Sequence, residues 1–306
     1  MIFRHEYLNG VWVDLEQPSE NDIRQIAEEF SIGEHIEREL LYPTPIPLVM
    51  SGDNMILLVL HFPTHGIDDG ETKSQEVDFI VGRNFIITVR YEVVASLHQL
   101  KKILETQDIV AERAPITTDI LLEVLFAHLY TSVRDHTNHA SDSLARVEKE
   151  MFNGHERTTV RAISNISREF LHVEASMANQ EEPLAHFLNV LEKYEFFDSS
   201  FATRAQRIKA ERTNVARMVK THRAVATELR ETNLAILGAR QNEIMKTLTI
   251  VNFILLPLGL ISWIFTMRTE GMPIVDSPYA FWIVLAIMFC VAAFLITFFV
   301  KRRWLS

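Results

Sequence analysis

The sequence predicts an α+β membrane protein, with an N-terminal mixed α/β domain, a long helical stalk and two C-terminal transmembrane helices. Three observations predict it. The chain closes on two stretches without a charged residue, Thr247 to Met267 and Ser277 to Val300, bounded by Lys246, Arg268, Asp276 and Lys301. From Thr118 to Gly238 only Gly154 and Pro183 interrupt the pattern. Before Thr118, Gly and Pro are frequent and short apolar runs alternate with polar ones.

Residues 1–117 form the predicted mixed α/β cytoplasmic domain. YLNGVWVDL, NMILLVLHF and EVDFIVGRNFIITVRYE read as strands, with Gly82-Arg83-Asn84 as a hairpin turn. PSENDIRQIAEEF has a serine ahead of an acidic first turn, and VVASLHQLKKILE places apolar residues at helical spacing, so both read as helices.

Residues 118–199 form a helical region of the same compartment, with helices expected over Thr118 to Phe152, His155 to Gln180 and Leu184 to Glu195. A last helix runs over residues 200–267 and carries the stalk into the first span. Its 68 residues would extend roughly 100 Å at 1.5 Å per residue.

Each apolar stretch is long enough to cross a bilayer, since 21 residues in the shorter one span about 31 Å against a hydrocarbon core of about 30 Å. The intervening loop, residues 268–276, holds one basic residue. Arg240 and Lys246 precede the first span, and Lys301, Arg302 and Arg303 open the tail at 301–306. The positive-inside bias then places the loop outside and both chain ends in the cytoplasm of a cell-membrane protein. The opening MIFRHEYLNG is too polar for a signal peptide.

Composition narrows the function classes. The formal charge of −10 and the lack of basic runs interleaved with aromatics exclude a general nucleic-acid binder. The single cysteine, Cys290, lies inside the second span, which leaves no disulfide framework. No nucleophile elbow, phosphate loop or metal-hydrolase motif is present, so the chain is not expected to be an enzyme or to carry a cofactor. His136 and His139 stand at i and i+3 beside Asp135, a weak metal candidate lacking a firm third ligand. Asp68, Asp69 and Glu71 form an acidic loop.

A stripe along the last helix has the character of a pore lining. Stepping by three and four from Glu231 gives Gly238, Asn242, Met245, Thr249, Asn252, Leu256 and Gly259, with Leu248 close by. Asn242 and Asn252 are costly beside lipid and favourable beside water. Met245, Leu248 and Leu256 supply apolar constrictions of the kind that gate by dewetting. Pro257 frees the carbonyl of Phe253, and Gly259 leaves a wide position one turn from Leu256.

The stretch NEIMKTLTIVNFILLPLGLISWIFTMRTEGMP, the N-terminal segments WVDLEQPS and EVDFIVGRNFIITVR, and the closing VKRRWLS resemble the CorA family of divalent-cation channels along the whole chain. The resemblance implies a homopentameric funnel embedded in lipid, with five stalk helices gathered around an axis and five first spans lining the pore. It also implies transport of metal ions, Mg²⁺ first, with Zn²⁺, Co²⁺ or Ni²⁺ open.

Two positions depart from that family. Where it carries Gly-Met-Asn at the outer mouth, this chain has Thr266, Met267 and Arg268. The family triad holds a hydrated cation through its waters, whereas Arg offers only donors and a fixed charge. Five such groups about 8 Å from a divalent ion in water-like dielectric would repel it by about 5 kcal/mol, unless Glu270 or Asp276 neutralised them. Gly259 replaces a family threonine. Between Arg204 and Arg223 the stalk is strongly basic, Arg207 falls where the family places a metal-binding acid, and residues 14–39 are strongly acidic. This pattern reads either as a solvated charged face or as Arg–carboxylate pairs between subunits in place of metal bridges. Two other functions stay open on the sequence: a membrane-tethered sensor or scaffold, and an anion-tolerant pore built on an Arg268 ring.

Overall fold

The computed structural model describes residues 2–7, 10–65, 72–107, 116–194, 196–267 and 279–302. It divides into two compact units, Met1–Arg230 and Glu231–Ser306.

The first unit is built on a six-stranded sheet in the order β1-β2-β6-β5-β4-β3. The strands are β1 Ile2–Tyr7, β2 Gly10–Glu16, β3 Leu48–Ser51, β4 Met55–His65, β5 Thr72–Gly82 and β6 Phe85–Arg90. All neighbours are antiparallel except β2 and β6, which run parallel with Trp12 opposite Ile86 and Asp14 opposite Thr88. Both faces of the sheet are covered, which is why most of β4 and β6 reads as nearly unbroken apolar runs. Leu57, Val59, Ile80 and Ile87 face α1 (Glu20–Glu29) and α2 (Glu34–Glu39), packing on Ile23, Ile26 and Ile36. Their alternates Ile56, Leu58, Phe79 and Val81 face the opposite core.

That opposite core joins the sheet to α3 (Ala95–Gln107), α4 (Thr118–Phe152), α5 (Glu156–Asn179), α6 (Glu181–Lys193) and the first part of α7 (Phe201–Thr266). Phe79 stacks on Phe126 at 5.0 Å, and Phe126 on Tyr130 at 6.1 Å. The strand-rich block, α4, α5, α6 and the first part of α7 thus share one hydrophobic cluster.

Local signals explain most boundaries. Ser19 caps α1 in a capping box with Asp22. Gly154, at φ 98°, ends α4 in a Schellman turn, where the His155 amide donates to Glu150 O and the Gly154 amide to Met151 O. The Gly82 hairpin stands as expected, and a Cβ there would sit 2.4 Å from the Phe85 ring. Helix α6 starts at Glu181, three residues before the expected Leu184. Pro183 falls in its first turn, where a missing N–H costs nothing, and Glu181 and Glu182 suit the positive helix end. The short α2 and the strand β3 had no clear periodicity in the sequence.

The second unit holds the rest of α7 and α8 (Ala280–Lys301). Both helices are long and apolar enough to cross a membrane, and only 6% of each apolar window is buried, unlike the core helix of a soluble protein. Arg303 and Trp304 of the predicted tail, Asp68, Asp69 and Glu71 of the acidic loop, and Arg268, Glu270 and Asp276 of the predicted outer loop lie outside the described residues.

Candidate functional site

Helix α7 continues without interruption through Pro257. At 100° per residue, the eight positions from Glu231 to Gly259 fall within an arc of about 100°. Apart from Gly259, the positions of α7 that lose exposure from residue 250 onward are different: Ile250, Ile254, Pro257, Leu258, Ile261 and Phe265. These lie about 155° round the helix from the stripe. Phe253 and Phe299 approach to 6.4 Å between ring centroids, and Ser262, Phe265 and Thr266 line a groove with Ala280, Phe281 and Val284 of α8. Helix α8 therefore takes one side of α7 and leaves the stripe uncovered.

On that uncovered side Glu231, Gly238, Asn242, Thr249 and Asn252 are exposed, as are Met245, Leu248 and Leu256, while Gly259 is half-buried. A Cβ added at Gly238 or Gly259 would meet nothing within 4 Å. Thr249 Oγ1 donates to Met245 O at 2.7 Å, which commits its proton to the helix and turns its lone pairs outward. Together with the Asn242 and Asn252 amide oxygens, it forms a column of neutral acceptors on a helix of membrane-spanning character. A hydrated cation presents water hydrogens, so acceptors of this kind can hold it without stripping its shell. At the far end of α7, Thr266 Oγ1 donates to Ser262 O, and Met267 follows as an exposed bend.

The histidine candidate takes a different form. His136 turns toward α5, with Nε2 3.0 Å from Glu169 Oε1, while Asp135 and His139 remain exposed. Among the described residues no group of three or more His, Cys, Asp or Glu side chains is arranged to hold a metal ion.

Four of the stalk arginines, Arg204, Arg207, Arg212 and Arg223, have carboxylate partners within the chain. Arg204 reaches Asp119 at 2.7 Å and Glu123 at 2.9 Å, and Arg207 reaches Glu123 at 3.4 Å. Buried Arg212 donates to Met177 O and to Glu181, and Arg223 pairs with Glu174. The acidic segment is also served locally: Asp14 and Glu16 by Arg90, Glu29 by Arg4, and Glu34 by Arg38. The pairs of Arg204, Arg207, Arg212 and Arg223 fasten the first part of α7 to α4, α5 and α6, a use the charge run in the sequence did not reveal because each of their acids lies far away along the chain.

The architecture defines a class of protein: an α/β unit whose last helix continues as the first of two helices long and apolar enough to cross a membrane. Residues 9–303 match the family described as CorA-like Mg²⁺ transporter protein. The cobalt/magnesium transport protein CorA of Methanocaldococcus jannaschii is 20% identical over 303 residues, covering 96% of this chain and 91% of that protein. CorA of Thermotoga maritima is 22% identical over 303 residues, covering 96% and 83%. The complete structure of the M. jannaschii CorA magnesium transporter superposes with a TM-score of 0.81 at 19% identity, covering 99% of this chain and 93% of that one. The chain belongs to the CorA-like Mg²⁺ transporter family, and its function is transmembrane transport of divalent metal cations.

Proposed function

We propose that the chain assembles as a homopentamer in the cell membrane, with both termini cytoplasmic, and passes hydrated Mg²⁺ along an axis lined by the α7 stripe. The observation that carries this is the column of acceptors, Asn242, Thr249 and Asn252, on the side of α7 that α8 leaves open. Neutral oxygens spaced one to two turns apart suit an ion that keeps its water, and Mg²⁺ sheds water reluctantly. Met245, Leu248 and Leu256 lie on or beside the same stripe and form rings that dewet when the helices close together. Glu231 sits at the end of the stripe nearest the soluble unit, where a ring of carboxylates concentrates cations. The chain acts as a transporter and not as an enzyme.

The test is ion flux into proteoliposomes at a clamped inside-negative potential, with Mg²⁺, Zn²⁺, Co²⁺, Ni²⁺ and chloride compared. Mg²⁺ uptake above empty vesicles, faster in Arg268→Asn and slower in Asn252→Leu, is the expected result. Uptake of another divalent cation alone would keep the pore and change the ion. Chloride flux without divalent uptake would replace the reading with an anion-tolerant pore, and silence in all variants would leave a sensor or scaffold.

A further inference from the structure

The sheet face beneath α2 contains a cluster of charged and polar groups that transport does not use. Glu76 and Asp78 stand at i and i+2 on β5, so both point to the face that α1 and α2 cover. Both are buried, at 8% and 1% exposure. His61 on β4 lies directly opposite Glu76 in register. The remaining titratable groups facing the pair are Glu39 at the end of α2 and Tyr91 just after β6, while α1 contributes only Ile23, Ile26 and Ala27.

These groups grip one short segment, the connection from α2 to β3. The Thr44 amide donates to Glu76 Oε2 at 2.7 Å, and Thr44 O receives His61 Nε2–H at 2.8 Å. Thr44 Oγ1 donates to Glu39 Oε1 at 2.8 Å. Tyr91 Oη donates to Leu40 O at 2.9 Å, with Asp78 Oδ2 at 3.4 Å as a weaker acceptor. The two ends of the segment that these bonds hold are buried, Leu40 at 2% and Thr44 at 7%, while Tyr42 between them is exposed.

Two carboxyl oxygens inside this cluster, Glu76 Oε1 and Asp78 Oδ1, have no donor among the described residues. Two buried carboxyls side by side cannot both ionise without a cation or water; among the described residues no lysine or arginine faces them, and His61 Nε2, 3.6 Å from Glu76 Oε2, gives its proton to Thr44 O. One proton placed between them satisfies both oxygens at once. We propose that Glu76 and Asp78 share a single proton and that this proton is a latch: while it is bound, the Leu40–Thr44 segment is closed over the pair, and its loss opens the segment to admit water.

Burial, followed by the adjacent Glu76 carboxylate, holds the Asp78 carboxyl well above the usual carboxylate range. The sign follows from linkage. The closed form keeps a proton that the water-exposed form releases, so closure is favoured at low pH and weakens as pH rises toward the raised pKa of the Asp78 carboxyl. The position is a strand facing a fully covered core, where the sequence EVDF puts two acids in the register of Ile80. Nothing in this latch depends on which ion is transported.

The experiment is hydrogen–deuterium exchange of the full chain in detergent micelles, following peptides that contain residues 40–48 from pH 5 to 8 and correcting for intrinsic exchange. The opening constant of this segment is expected to rise with pH in the wild type, by up to about tenfold per pH unit, the limiting slope for release of one proton. Asp78→Asn and Glu76→Gln, each able to donate where the shared proton sat, are expected to stay closed with a flat profile, while peptides from α5 show no slope in any chain. Infrared absorption of a protonated carboxyl should be present in the wild type at neutral pH and absent in Asp78→Asn. A flat wild-type profile, or the same slope in both variants, overturns the latch. Should neither variant fold, the wild-type slope and its carboxyl band decide alone.

Discussion

Single residues fix the sheet at its one parallel joint. Asp14 on β2 accepts from Thr88 Oγ1 at 2.7 Å and from Arg90 Nη2 at 2.7 Å, and Arg90 also reaches Glu16 and Val94 O. Asp14 and Arg90 are both fully buried. A buried pair of this kind contributes little net stability, yet removing one partner strands the other charge in a dry interior. Asp14→Ala is therefore expected to cost about 3–5 kcal/mol, read as a large drop in the midpoint of chemical denaturation of the full chain in detergent. A drop no greater than that of Arg4→Ala, whose partner Glu29 is 39% exposed, would mean that Glu16 alone can satisfy the guanidinium. The sequence showed Asp14 only as one acid among many, because its partner is 76 residues away. The acids of EVDF were visible too, but their burial follows from the second layer, α1 and α2, and α2 itself is too short to announce its register.

At the scale of elements, periodicity and punctuation predicted far more than charge did. Helices α4 and α7 were legible to within a residue or so, since Gly154 and the long uninterrupted patterns mark them clearly. The faces of α7 inside the membrane unit were harder to read, because a helix apolar all round has no polar side to point outward. Only the interspersed Asn242, Thr249 and Asn252 set an orientation there. The arginine pairs make a sharper test of how α7 is seated. Arg204 is 24% exposed and bonds two carboxylates on α4, so Arg204→Ala is expected to destabilise the first unit by about 1–2 kcal/mol after allowance for solvent screening. Arg207→Ala, at 65% exposure, should change stability by less than about 0.5 kcal/mol. Equal losses from both would show that the charge run acts as a field rather than through these contacts. Gly238 offers a test of the opposite sign. With open space around its missing Cβ, Gly238→Ala is expected to raise the thermal midpoint through a gain of about 1 kcal/mol in helix propensity. A fall in the midpoint would show that another copy packs closely against that position.

For the whole molecule, the decisive issue is which side of α7 meets water across the membrane. Within one chain the answer is constrained, because α7 loses exposure at Ile250, Pro257 and Ile261 and shares a groove with α8 at Ser262, Phe265 and Thr266, while most of the stripe stays exposed. If five chains place the stripe on a common axis, water follows Asn242, Met245, Thr249, Asn252, Leu256 and Gly259 and avoids the α8 side. Cys290 is the sole native thiol, so a Cys290→Ser background allows cysteines to be placed one at a time from residue 242 to 261 and challenged with a membrane-impermeant, thiol-reactive reagent in vesicles. Labelling is expected to peak at positions 245, 249, 252, 256 and 259 and to vanish at 250, 254, 257 and 261, giving a period near 3.6 residues. Mg²⁺ should slow the reaction at Asn252→Cys and Thr249→Cys if the hydrated ion lodges at the acceptor column, while chloride salts of a large monovalent cation should not. A period centred on the α8 side would place the water path between the two helices of one chain and end the case for an axial pore. Uniform labelling would mean that the second unit does not form a sealed membrane structure at all.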